Sequence, residues 1–263
     1  MNSVSRWTDL LPRVASGAVM ALLAVAAIWA GGYIFVCFIA IICGVILWEL
    51  VRMLAPGQRR RAINLGLLGA LSSIAAVLGP AALALPILLV PAALGWVWIR
   101  QDKRIYVVFA ALILLAGFGL SSVREEFGVI WLSWLILTVA ATDIAGYFVG
   151  KSLGGPKFWP ALSPKKTWSG TIGGWVAAGL TGLCFTIILP GGVWLVILSV
   201  ATSLSSQIGD MAESAVKRRV GVKDSSRLIP GHGGVFDRMD GMLGGAVLVL
   251  LVMELSGYPP GPL

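Results

Sequence analysis

The residues best able to do chemistry lie in the second half of the chain, where acids and lysines recur at helical spacing. In SQIGDMAES, Gln207, Asp210 and Glu213 stand at i, i+3 and i+6, and Ser214 and Lys217 continue the same stripe if the helix runs on. In FDRMD, Asp237 and Asp240 stand at i and i+3, so two carboxylates can converge on one point. A hard divalent ion that keeps several waters is typically held by one or two carboxylates together with substrate phosphates. The competing reading of the same acids is an interfacial salt-bridge network with Arg238, Lys217 or Arg218.

Cationic groups accompany them. SPKKTWSG, residues 163–170, reads as the opening of a helix: Pro164 suits a first turn, Ser163 or Thr167 can cap it, and Lys165 and Lys166 sit near backbone donors. Such a start would bind anions, although lysines that merely snorkel to the membrane surface would look the same. PGHGG, residues 230–234, is a tight loop whose glycines let backbone N–H groups approach a ligand. His232 within it is the chain's only histidine, and a lone histidine in a turn more often fills the loop than catalyses. Asp143, four residues before Tyr147, lies several residues inside an apolar pattern. Ionisable groups at membrane depth are costly and by default mark function.

The elements that must position these groups are membrane helices. The chain of 263 residues is 58% hydrophobic and 12% charged, with mean hydropathy +0.91, far from a soluble domain. No charge occurs from Val14 to Trp48. A span needs roughly 20 residues, so this run holds two, hinged at Gly31-Gly32 and bounded by Glu49. The first apolar run resembles a signal-peptide core, but the next span follows at once, which marks an uncleaved helix. Further runs cover residues 62–99 with a turn at Gly79-Pro80, 105–123, 127–150 broken by Asp143, 167–209 split near Pro190-Gly191-Gly192, and 235–255. The expectation is an all-α polytopic protein of about nine transmembrane helices. Spans 1–5 (residues 1–126) look generic, spans 6–9 (residues 127–263) carry the chemistry, and the whole forms one integrated membrane domain.

With that helix count, every one of the 20 lysines and arginines except Arg124 falls on one side, which predicts a cytoplasmic N-terminus and an active site at the cytoplasmic face. The net charge of +8 is thus a topology signal and does not point to nucleic acid. Cys37, Cys43 and Cys184 lie in apolar segments without Cys-x-x-Cys spacing, so neither disulfide nor zinc is suggested. No repeat of 20 to 50 residues is present.

SAVKRRVGVKDSSRLIPGHGGVFDRMD, residues 214–240, resembles the signature of phosphatidate cytidylyltransferases, the CDP-diacylglycerol synthases: Ser, Lys-Arg, Lys-Asp, Pro-x-His-Gly-Gly and Asp-Arg-x-Asp follow in the family's order. SPKKT, SQIGDMAES and DIAGY at 143–147 are similar to further family elements, so the resemblance covers roughly Asp143 to Gly241. It implies transfer of CMP from CTP to phosphatidic acid, releasing pyrophosphate, at a bacterial inner membrane. It also implies magnesium held by Asp210, Asp237 and Asp240. Lys165, Lys166 and Lys223 would hold phosphates and His232 and Arg238 would orient them, with Ser163, Thr167, Lys217, Arg218, Asp224 and Asp143 among the substrate-binding residues. A second, monovalent cation and a homodimer are compatible with this reading. One departure stands out: two residues after the SPKKT threonine the family usually has an acid, and here Ser169 takes that place.

Two rivals predict other patterns. A secondary transporter or cation channel would place acids near mid-bilayer in both halves of an internal repeat, whereas these crowd one half. A CDP-alcohol phosphotransferase would follow Asp237-x-x-Asp240-Gly241 with two further spaced aspartates, whereas this chain continues MLGGAVLVLL.

Overall fold

The computed structural model describes residues 3–257, with side chains from Arg13 onward; Arg6, one of the basic residues before the first span, precedes the described side chains. Among the described residues the chain forms nine α-helices and one small hairpin: α1 (Ser3–Ala30), α2 (Gly32–Leu54), α3 (Arg59–Leu78), α4 (Ala81–Trp98), α5 (Lys103–Glu126), α6 (Gly128–Leu153), β1 (Lys157–Trp159), β2 (Ser163–Thr167), α7 (Trp168–Phe185), α8 (Val193–Arg219) and α9 (Phe236–Ser256). The expected hinges hold. Gly31 and Gly32 take φ of 61° and 51°, and Gly191 and Gly192 take 123° and 52°, conformations that side-chain-bearing residues avoid.

Eight helices are long and apolar enough to cross a membrane, and the protein is an all-α polytopic membrane protein. The ninth, α7, is 18 residues long and falls short: its five glycines, one serine, two threonines and two tryptophans hold down its apolarity. Those glycines serve packing. A Cβ on Gly170 would lie 2.5 Å from the Gly146 carbonyl oxygen, and one on Gly173 would lie 2.8 Å from Val149 Cβ, so α7 approaches α6 backbone to backbone. Small residues are the usual means of close helix contact in lipid, where the hydrophobic effect supplies no attraction between helices.

The structure corrects the reading of SPKKT. Residues 163–167 are a strand, β2, paired antiparallel with β1 through Lys157 opposite Thr167 and Trp159 opposite Ser163. Pro164 therefore occupies a two-stranded edge, which tolerates a missing N–H. The helix begins only at Trp168, with Thr167 as its N-cap, whose hydroxyl accepts from Gly170 N–H at 3.2 Å. Trp168 packs edge-on against Phe158 of the hairpin at 4.7 Å. Capping by Thr167 holds as expected; the lysines precede the helix by two and three residues.

The chain divides into two compact units, residues 1–114 with 219–239 and residues 115–218 with 240–263. In the first, α2 and α3 cross where Gly44 and Gly66 face each other, each leaving only 2.7 Å from a would-be Cβ to the other's carbonyl oxygen. Leu47, Leu50 and Val51 of α2 are wholly buried. Outward-facing Leu22, Val25 and Trp29 of α1 are exposed, as a lipid-facing helix requires. In the second unit the buried indoles of Trp131 and Trp134 meet edge to face, and Trp134 Nε1 donates to Ser199 Oγ at 2.8 Å.

Candidate active site

In the second unit, α6, the hairpin, the start of α7 and α8 enclose a cavity of about 640 Å³ lined by Asp143, Lys165, Lys166, Thr167, Gln207 and Asp210, among others. These six residues, all singled out in the sequence, thus share one chamber. Lys166 Nζ ion-pairs with the Asp210 carboxylate. Ser214 Oγ, one turn along α8, lies 3.4 Å from the other oxygen of Asp210. Gln207 is fixed from both ends of its amide: Trp175 Nε1 donates to its Oε1 at 3.0 Å, and its Nε2 donates to the Thr171 carbonyl at 3.3 Å. The stripe foreseen on α8 therefore exists, with Lys217 Nζ 2.5 Å from the buried Glu213 carboxylate.

Asp240 belongs to this unit as well. α8 and α9 cross on glycines: a Cβ on Gly209 would lie 2.4 Å from the Asp240 carbonyl oxygen, and one on Gly244 would lie 2.3 Å from that of Ser205. Ser205 Oγ also donates to the Gly244 carbonyl at 2.7 Å. The side chains of Asp143, Asp210 and Asp240 lie close enough to interact electrostatically. Three like charges repel, and an ammonium already sits against Asp210, as a cation would. Among the described residues no group of three or more acidic, histidine or cysteine side chains is placed to hold a metal ion.

Ser169 has a definite task. Its hydroxyl contacts Thr167 Oγ1 at 3.0 Å and donates to the Gly154 carbonyl, tying the start of α7 to the end of α6. A carboxylate cannot donate to that carbonyl, so the brace depends on the hydroxyl. Ser163 lies at the far end of β2 opposite Trp159, and Arg218 is exposed near the end of α8.

The remaining selected residues, Lys223, Asp224, His232, Asp237 and Arg238, belong to the first unit. Lys223 and Asp224 are exposed on the loop between α8 and α9. That loop closes on itself: Ile229 and Gly233 form a bridge, and Gly231 and Gly233 take φ of 75° and 84°. Arg238 Nε donates to the His232 carbonyl at 3.1 Å. Ser16 of α1 lies 3.0 Å from His232 Nδ1 and 3.0 Å from the Pro230 carbonyl. One hydroxyl proton serves one acceptor at a time, so whenever it goes to Pro230, Nδ1 carries the proton of the imidazole pair. Asp237 Oδ2 accepts from Ser225 N at 2.9 Å, Ser225 Oγ at 2.8 Å and Gly234 N at 2.8 Å.

One residue escaped the sequence reading. Glu49 bounds a charge-free run, yet α2 continues through it to Leu54 and its side chain is fully buried, joined to the same loop. The only signal was an acid within apolar surroundings.

A model of the cytidylyltransferase family matches residues 11–256. Among curated proteins, the chain is similar to the phosphatidate cytidylyltransferase of Brucella suis biovar 1 (strain 1330), 48% identical over 160 residues, covering 58% of this chain and 59% of that one. It is also similar to those of Mycobacterium bovis (40% over 145 residues; 54% of this chain, 47% of that one) and Bacillus subtilis strain 168 (40% over 122 residues; 45% of each). The matched stretch therefore spans about half of each relative's length.

Proposed function

Because the chain belongs to the cytidylyltransferase family, we propose that it transfers CMP from CTP to phosphatidic acid, giving CDP-diacylglycerol and pyrophosphate. The observation that carries this reading is the cavity in which Lys165 and Lys166 face Asp143 and Asp210: cations for phosphates and acids for a metal, in a membrane protein. An oxygen of the lipid phosphate forms a bond to the α-phosphorus of CTP as the bond from that phosphorus to the bridging oxygen breaks, and that oxygen leaves with pyrophosphate. Phosphate monoesters are already largely ionised near neutral pH, so the attack needs no general base, and His232 is a binder.

The work left to the protein is to bring two polyanions together and offset the charge that develops. Lys165 and Lys166 grip phosphates from β2, and Lys223, His232 and Arg238 serve from the loop. Asp210 and Asp240, with Asp143 nearby, would hold magnesium, which when bound would neutralise phosphate charge. Asp237, the further ligand that the resemblance implies, lies in the first unit, where its Oδ2 accepts from Ser225 and Gly234. The test is purified protein in detergent with labelled CTP, phosphatidic acid and magnesium. CDP-diacylglycerol and pyrophosphate should appear in equal amounts, and absence of lipid product would overturn the assignment.

Two expectations follow from this reading. Lys166→Ala should leave the protein inserted and folded while raising KM for CTP or lowering turnover about tenfold, the scale of one charge-assisted contact. Unchanged kinetics with both Lys165 and Lys166 replaced would leave them a purely topological role. The membrane would be a bacterial inner membrane, and the one-sided basic residues support an N-terminus and a cavity on the cytoplasmic side. Reporters fused after Gly57 and after Gly257 should read opposite sides; the same side for both would mean that α7 does not cross.

A further inference from the structure

Glu49 accepts contacts from four donors, all between residues 225 and 236. Ser226 Oγ at 2.6 Å and Val235 N at 3.0 Å meet Oε1. Phe236 N at 2.7 Å and Ser225 Oγ at 3.2 Å meet Oε2. Every partner can donate, which suits the acceptor-only ionised carboxylate. Two of the donors are backbone N–H groups at the start of α9, which lack partners within the helix and lie at its positive end. The Ser225 hydroxyl also lies 2.8 Å from Asp237 Oδ2; its single proton is shared between the two carboxylates, so they act on the loop as one network.

Two further features point the same way. A Cβ on Gly234 would lie 2.0 Å from Ser225 Oγ and 2.5 Å from Glu49 Oε1, so glycine at this position is what lets the loop close on the acid. Phe236, next to the Glu49 contact, is buried and meets Phe109 edge-on at 6.1 Å. A carboxylate with no solvent exposure is costly to bury without such partners, and a merely structural helix cap needs no glutamate from a helix about 180 residues upstream.

We propose that Glu49 is the positioning residue of the signature loop: through Ser225, Ser226 and the first amides of α9 it holds one loop conformation and so presents Lys223, Asp224 and His232 in one arrangement. The role of those side chains rests on the proposed cytidylyl transfer; the anchoring itself does not. Glu49→Gln keeps the size but replaces one acceptor oxygen by an NH2 group that faces donors.

In the detergent-purified full chain, Glu49→Gln should raise amide hydrogen exchange about tenfold or more at Ser225, Val235 and Phe236, with α3 and α6 unchanged. It should raise KM for CTP or lower kcat by a similar factor per folded molecule. Ser226→Ala, which removes one of the four Glu49 contacts and the acceptor of the Leu228 N–H, should give a smaller change in the same direction and decides the matter if Glu49→Gln fails to fold. Unaltered loop exchange in the folded variant overturns the proposal. So does a lowered Tm with unchanged kinetics per folded molecule, the signature of a simple strut. A wild-type protein that transfers no CMP would refute the assigned reaction and leave the exchange comparison to judge the anchor.

Discussion

Asp210→Asn and Asp240→Asn should each lower CMP transfer about a hundredfold or more, equivalent to roughly 3 kcal/mol of lost charge stabilisation, while the protein inserts and folds as before. Asparagine keeps the shape and part of the hydrogen bonding but lacks the charge that holds a hard cation. The two residues lie on helices brought together at Gly209 and Gly244 and interact electrostatically, so the double variant should lose little more than either single one. Groups that act as a unit are strongly non-additive. Initial rates over a range of magnesium concentrations are the measurement. Losses that multiply would assign the carboxylates separate tasks, and a variant with undiminished magnesium-dependent turnover would be removed from the metal shell.

Gly244→Ala should be nearly as damaging by a different route. Its added carbon would stand 2.3 Å from the Ser205 carbonyl oxygen, a backbone atom that cannot turn aside. The crossing of α8 and α9 must widen, at a cost of about 1–3 kcal/mol for overpacking, and Asp240 moves away from Asp210. Turnover should fall at least tenfold and the melting temperature in detergent should drop. Gly179→Ala is the control, since its Cβ would meet Val200 Cγ2 at an ordinary 3.5 Å and should leave both quantities near wild type. Equal behaviour of the two variants would show that the close crossing does not set the spacing of the acids.

These contrasts mark where the sequence could and could not be read. Charge-free runs and paired glycines located the helices because lipid imposes length and apolarity on each span separately. The stripe from Gln207 to Lys217 was legible because helical spacing fixes it locally. SPKKT misled because serine, proline and threonine suit a helix start, whereas pairing with residues 157–159 makes it a strand, and such pairing leaves little local trace in a five-residue segment. The Lys166–Asp210 pair joins two motifs read separately, a phosphate grip and a metal ligand. Glu49 was missed because its partners are mainly backbone amides and hydroxyls of a distant loop, and nothing in side-chain identity encodes which amides a buried acid will meet. α7 was counted as an ordinary span because its glycines interrupt apolarity without adding charge.

The ion pair between Lys166 and Asp210 links the two ligands that the proposed reaction requires. A phosphate that draws Lys166 away uncovers a carboxylate, and a cation that takes Asp210 releases an ammonium. Each ligand thus removes the competitor of the other, and thermodynamic reciprocity makes the assistance equal in both directions. The pair is partly open to solvent, with 28% and 30% of the side chains exposed, so breaking it costs at most about 1 kcal/mol, and the mutual gain is at most about fivefold. Within that limit the ion pair holds the chamber's charges in check, and under the proposed reaction nucleotide and metal would each bind more readily in the other's company.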